Sequence, residues 1–482
     1  MDMMTARVTR FTPYMGAVLA PVLALCVWVT LNPYFLWESR RHMALAGMLA
    51  GGLAVLAFLL GDRLRRREIA GFGLICLFII YISLLPKVDG TTTRWYFVLP
   101  TMLALAIFSD ERRLKVIQYF SWIFAASLIP GIIASICAIA NIPIEFQALP
   151  LLNPTMAAAG GSYLHTPGAL LLSGNSLPMP WGGELYRLCA VYDEPGMVGT
   201  ISAFLLAGYR FRLNRPVSAI LFIGGTLSFS LAFVVMATLG FLVRLVYTRS
   251  LLNLLPLALL GLVGLTVLGV IKPYIPLREV PIISSATQQI ETPTEDAPAL
   301  LSSPSESAQL EAIELEQALS REREEAAAAA QAAQAALAAQ AERAAMEKQH
   351  LRQVEVINNR SLPEMDQLLE RYWHADTKTI LFGLGADSSV VYGGVSQVVT
   401  RLFTDFGLIG AVLFAGGMLC LIFAITTNSQ SPVWALLFFT LFALSIYQRP
   451  IVWMPYAFTL FICCSTLAGY REPRSASRSN LS

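Results

Sequence analysis

Long apolar stretches, cut by short polar clusters, set the rhythm of this chain. They fall near 14–35, 43–60, 70–86, 95–109, 115–140, 196–209, 217–229, 232–247, 252–271, 402–426, 432–447 and 450–469. Most approach the ~17–25 residues that a helix needs to cross a hydrocarbon core. Short alternating segments of the kind that mark strands are not apparent. The pattern predicts an all-α polytopic membrane protein with about twelve transmembrane helices. The stretch 217–247 is long for one tilted helix and short for two, and the polar "TLSFS" at its middle suits a turn.

The charges between the runs give a topology. "GDRLRRRE", "SDERRLK", "RFRLNRP", "RLVYTRS" and the tail "REPRSASRS" are arginine-rich. All five fall on one side if 217–247 crosses twice, and short cytoplasmic loops carry such an excess. Both termini are therefore expected in the cytoplasm. An N-terminal membrane domain (1–271), a C-terminal three-span bundle (402–470) and a cytoplasmic tail (471–482) result. Two long segments, 141–195 and 272–401, face the other side.

Within the second long segment, 281–305 is rich in Pro, Ser and Thr and reads as a flexible linker. Residues 306–358, including "SREREEAAAAAQAAQAALAAQAERAAMEKQHLRQ", are almost all strong helix formers. They predict a rod roughly 80 Å long. Its apolar side is mostly alanine, so any coiled-coil seam is weak. It reads as a solvated helix or as a docking arm for a partner, such as a chain-length regulator or an export complex.

Composition narrows the function. Of 482 residues, 56% are hydrophobic and only 14% charged, against a usual quarter; the mean hydropathy is +0.60. A net charge of +2 gives no reason to expect a nucleic-acid partner. Six of the seven cysteines lie inside apolar runs, Cys189 lies near one, and no CxxC spacing occurs. His42, His165, His350 and His374 are scattered, so no metal site and no cofactor is expected. No phosphate-binding P-loop, HExxH or nucleophile elbow occurs.

What remains is a set of charges at span ends. Arg187, Asp193 and Glu194 precede one span, in "YRLCAVYDEPGMVGT". Arg401 and Asp405 open another, and Arg449 lies in the tight "YQRP" turn. On the expected topology all share the outer interface. Each alone could snorkel, but several converging on one face favour a site. Arginine forks match phosphate oxygens, and a nearby carboxylate can take a proton from a sugar hydroxyl. The combination suits a lipid-diphosphate-linked donor.

These segments resemble the O-antigen ligase and polymerase superfamily. Its first pattern is an arginine followed by [EN]-P-[GN] opening a span, matched by Arg187, Glu194, Pro195 and Gly196. Its second is an "fGxG" turn, a polar stretch and "xxGxxG" entering a span, matched by Phe382, Gly383, Gly385, Gly407 and Gly410. The resemblance covers the chain apart from the helical insert. It implies a GT-C-like membrane glycosyltransferase in the bacterial inner membrane, working at its periplasmic face on undecaprenyl-diphosphate-linked glycans. Arg187, Glu194 and Arg401 would be catalytic. Asp193, Asp405, Arg449 and Tyr392 would bind substrate. Ligases carry a histidine about eleven residues before the first glycine of "xxGxxG", where this chain has Ser396. That departure favours a Wzy-type polymerase, with a ligase, a polysaccharide or lipid transporter and a non-catalytic scaffold as alternatives.

Overall fold

The computed structural model describes residues 2–39, 41–88, 95–150, 162–179, 181–267, 363–393, 398–448 and 452–470. The linker 281–305, the rod 306–358, Ser396 and Arg449 lie outside the described residues.

Each apolar run is helical over most of its length. In chain order the helices are α1 (Asp2–Val29), α2 (His42–Leu59), α3 (Ile69–Leu84), α4 (Leu99–Ile107) and α5 (Asp110–Ile139). Then come α6 (Pro195–Gly208), α7 (Pro216–Leu227), α8 (Leu231–Thr248) and α9 (Leu254–Val267). After the undescribed stretch follow α10 (Pro363–Trp373), α11 (Thr377–Phe382), α12 (Ser388–Gly393), α13 (Val398–Thr404), α14 (Gly407–Asn428), α15 (Pro432–Gln448) and α16 (Pro455–Gly469). Four of them, α2, α5, α8 and α14, are long and apolar enough to cross a membrane by length and composition. Apart from α1, at 28 residues, the others are shorter; α6, at 14 residues, spans only about 21 Å.

Many outward faces are apolar. On α2, Leu45, Met48, Leu49, Val55 and Leu59 are exposed, and on α14 Val412, Leu419 and Phe423 are. Side chains so arranged are costly in water and cost nothing against lipid.

The stretch 217–247 is two helices, α7 and α8, broken at Ser228, Phe229 and Ser230, where Phe229 takes φ +47. A bulky residue is rare in that left-handed region. The expected span 402–426 is also broken, at Asp405–Phe406 between α13 and α14.

The segment 141–195 corrects the expectation that strands are absent. It holds a four-stranded antiparallel sheet, β1 (Gln147–Leu149), β2 (Tyr163–Thr166), β3 (Ala169–Pro178) and β4 (Glu184–Ala190), paired in that order. Both faces are covered. Leu171, Leu188 and Ala190 join the main helical core, and Gly131 of α5 leaves room for the Leu188 side chain. Tyr163, Leu170, Leu172 and Cys189 pack on Tyr34 and Trp37 instead. A strand buried on both sides does not alternate polar and apolar residues, so "ALLL" carries no period-two signal.

A buried ion pair anchors the α2–α3 turn to α5. The Arg113 guanidinium donates to both Glu68 oxygens, at 3.1 and 2.6 Å, and from Nε to the Leu105 carbonyl at 2.8 Å. Both side chains are buried, and the bidentate geometry offsets part of the desolvation cost.

Candidate functional site

Arg187 lies on β4 between Tyr186 and Leu188, paired with Leu172 of β3. Its guanidinium crosses to the α7–α8 turn. Nε donates to the Ser228 carbonyl and one Nη to the Phe229 carbonyl, each at 3.4 Å. Both contacts are long for an N–H···O bond, which usually falls at about 2.7–3.2 Å. Burial pulls its pKa below the usual guanidinium value, and the nearby Glu194 charge opposes that shift. Arginine nonetheless stays protonated. The site therefore holds a desolvated cation bonded only weakly by its own chain. Helix α6 closes against the same turn: Gly199 faces the Ser228 and Ser230 side chains, with no room for a larger residue.

Glu194 is the N-cap residue of α6, with extended backbone, and its side chain makes no capping bond to the helix. Pro195 follows at the first helical position, where its missing N–H costs nothing. The turn leading to it is held on both sides. The Tyr192 hydroxyl meets Trp28 Nε1 at 2.9 Å and Ser127 Oγ at 2.8 Å. The Tyr163 hydroxyl donates to the Asp193 carbonyl at 2.6 Å. Asp193, Glu194 and Arg187 all act electrostatically on Cys189, whose thiol burial pushes far up. Cys189 is thus a neutral packing residue, not a nucleophile.

The second pattern folds back on itself. Gly383 sits at φ +85, and a Cβ there would lie 2.5 Å from the Asp405 carbonyl oxygen. Leu384 N donates to the Thr404 carbonyl at 2.7 Å. Gly407, at φ +67, presses on Gly383 from the other side. The Tyr81 hydroxyl of α3 reaches the carbonyls of Phe406, at 2.8 Å, and Phe382, at 3.2 Å. The glycines of "fGxG" and "xxGxxG" are thus two halves of one backbone contact.

This contact aligns a network of charges. Asp405 is fully buried and accepts from Ser388 Oγ at 2.7 Å, Ser389 N at 2.8 Å, Ser389 Oγ at 3.1 Å and Arg401 Nε at 3.0 Å. Arg401, 3% exposed, also donates from Nη2 to Asp387 at 2.8 Å and lies 5.4 Å from the Trp453 ring centre. Lys87 Nζ approaches the other Asp387 oxygen at 2.9 Å. Arg401, expected to meet a diphosphate, is engaged by two carboxylates of its own chain. Asp405, expected to bind substrate, is saturated by internal donors. Tyr392, on α12, is exposed beside the Arg371 guanidinium, 5.5 Å from its ring centre.

Helix α6, which Glu194 caps, packs beside the segment that carries Trp453. A small cavity of about 20 Å³ is lined by Met197, Thr200 and Ile201 of α6, by Val452 before α16 and by Tyr456 in its first turn. Trp453, beside Val452, is the residue under Arg401. No hydrogen bond or ion pair among the described residues joins Arg187 to Arg401. Sequence reasoning missed Lys87, Asp387, Ser388, Ser389, Trp453 and the Ser228–Ser230 turn. Asp387 and the two serines directly follow the "fGxG" glycines, in "LFGLGADSS", but nothing local marks them as partners of an arginine. Among the described residues no three His, Cys, Asp or Glu side chains gather as metal ligands.

No protein-family model, curated protein or solved structure matches the chain.

Proposed function

We propose that the protein is a membrane glycosyltransferase that polymerises lipid-diphosphate-linked oligosaccharide repeat units. In this reading it crosses the bacterial inner membrane about twelve times, with both termini in the cytoplasm, and works at the periplasmic face. The observation that carries the reading is Arg187: a half-buried guanidinium with two 3.4 Å carbonyl contacts, close enough to Glu194 to feel its charge. A desolvated, weakly bonded fork is suited to a phosphate anion. The start of α6 beside it adds the positive end of a helix dipole.

The reaction is a displacement at an anomeric carbon. The growing chain, on undecaprenyl diphosphate, is the donor. A hydroxyl of the next lipid-linked unit gives its proton to the Glu194 carboxylate and attacks the anomeric carbon. The bond from that carbon to the diphosphate oxygen breaks, and its electron pair leaves with the lipid diphosphate. Arg187 balances the charge that develops there. Glu194 suits the role because it stands at the start of α6, near enough to Arg187 for the two charges to act on each other. Arg401 and Asp405 serve as a structural clamp that fixes the α13–α14 entrance. In this reading Arg187 supplies the neutralisation a metal would otherwise give, so the reaction is expected to need no divalent ion.

Deleting the gene and analysing the glycans tests the reading. Single repeat units left on lipid are the expected result. Long free polymer that fails to attach to its acceptor would instead indicate a ligase. Unchanged glycans would refute both.

A further inference from the structure

The α2–α3 turn carries "DRLRRRE" from Asp62 to Glu68, and none of it belongs to the site above. Three of its guanidiniums converge. Arg65, Arg66 and Arg67, with Asp110 of α5 and Asn428 at the end of α14, line an open groove of about 460 Å³. The groove is rigidly framed. Beneath it lies the buried Arg113–Glu68 pair, with Nη2 to Oε2 at 2.6 Å. On one side Arg65 pairs with Asp110 at 2.5 Å. On the other, Arg67 Nη1 donates to Asn428 Oδ1 at 2.8 Å. Arg66 is exposed and makes no hydrogen bond or ion pair with the described residues.

Three guanidiniums and one carboxylate line the concavity; Glu68, 3.5 Å from Arg65, is already paired with Arg113, and the surplus is positive. A topology signal needs arginines in the loop but does not need them to share one groove. The turn also carries apolar side chains: Leu59, Leu64 and Ile69 are exposed in it and at the helix ends beside it. A water-soluble anion would gain nothing from them, whereas a lipid would place its chains there. Basic pockets between helix ends at a membrane surface take up anionic headgroups.

We propose that this groove is a binding site for an anionic phospholipid, with Arg66 and Arg67 on the headgroup phosphate and the acyl chains along Leu59, Leu64 and Ile69. A headgroup with two phosphates, as in cardiolipin, suits the spread of the three guanidiniums best. The assignment is independent of the glycosyltransferase reading and of which leaflet the turn faces.

The test is native mass spectrometry of the purified full chain, titrated with cardiolipin, phosphatidylglycerol or zwitterionic phosphatidylcholine. Cardiolipin should bind tightest and phosphatidylcholine weakest. Arg66→Ala should weaken cardiolipin binding roughly fivefold and Arg66→Glu roughly thirtyfold, from the contribution of one basic residue near an anionic surface. Arg66 has no hydrogen-bond or ion-pair partner among the described residues, so both variants should melt like the parent; Arg249→Ala, at the exposed end of α8, should bind lipid normally. Equal cardiolipin affinity in the parent and both Arg66 variants would overturn the site. Inorganic phosphate displacing cardiolipin at millimolar concentration would overturn the lipid assignment in favour of a free anion.

Discussion

Removing one member of the Arg401–Asp405 pair separates a clamp from a substrate ligand. The 3.0 Å contact between Arg401 Nε and Asp405 Oδ2 is buried on both sides. At that separation two unit charges attract by ~5 kcal/mol at an effective dielectric constant of 20. Asp405→Asn removes the charge and turns an amide N–H₂ toward donors from Ser388, Ser389 or Arg401, so at least one donor is left facing another. Breaking a buried pair on one side costs about 3–5 kcal/mol. At roughly 2 °C per kcal/mol for a large chain, Asp405→Asn and Arg401→Met should each lower the melting temperature by ~6–10 °C. The double variant should cost less than the two single losses added, because one interaction is counted twice. Lys87→Met gives the contrast. Its partner contact to Asp387 is half-exposed, worth under ~1 kcal/mol, so its shift should be barely measurable. The assay is thermal unfolding of the purified protein in detergent, followed by intrinsic fluorescence. If Arg401→Met melts like the parent and only loses activity, the clamp reading is wrong and Arg401 is a substrate ligand.

Other outcomes follow from the same geometry. Glu194→Gln should cut glycosyl transfer by about 10²–10⁴-fold while the protein still folds; a large loss of stability would reassign it to a structural role. Arg187→Lys should also impair transfer, because lysine keeps the charge and loses the fork; polymer of normal length and amount would remove Arg187 from the site. Gly383→Ala should destabilise the α11–α14 region by about 1–3 kcal/mol, from the left-handed backbone with a further clash at the Asp405 carbonyl. Limited proteolysis between α11 and α14 would report that loosening, and an unchanged cleavage pattern would count against it.

Sequence periodicity alone located the apolar helices, because burying or lipidating a helix needs a run of a given length, and length is a local property. It also marked the break in 217–247, since polar "TLSFS" is costly inside a continuous apolar helix. The order of the two glycine patterns and the Arg187–Glu194–Pro195 stretch were legible too, because their spacing lies within a few residues. The sheet β1–β4 was not. Its strands are covered by α5 on one face and by Tyr34 and Trp37 on the other, so the alternation that betrays a strand was erased by contacts made far away in the chain. The role of each charge was equally hidden. Arg187 and Arg401 look alike in sequence, each beside carboxylates at a helix boundary. Folding gives Arg401 two short bonds to Asp387 and Asp405, because Gly383 and Gly407 let two backbone segments touch. It gives Arg187 only two long carbonyl contacts from a turn some 40 residues away. Which arginine is engaged by carboxylates and which meets only carbonyls among the described residues depends on distances between non-adjacent segments, and only the tertiary structure sets those.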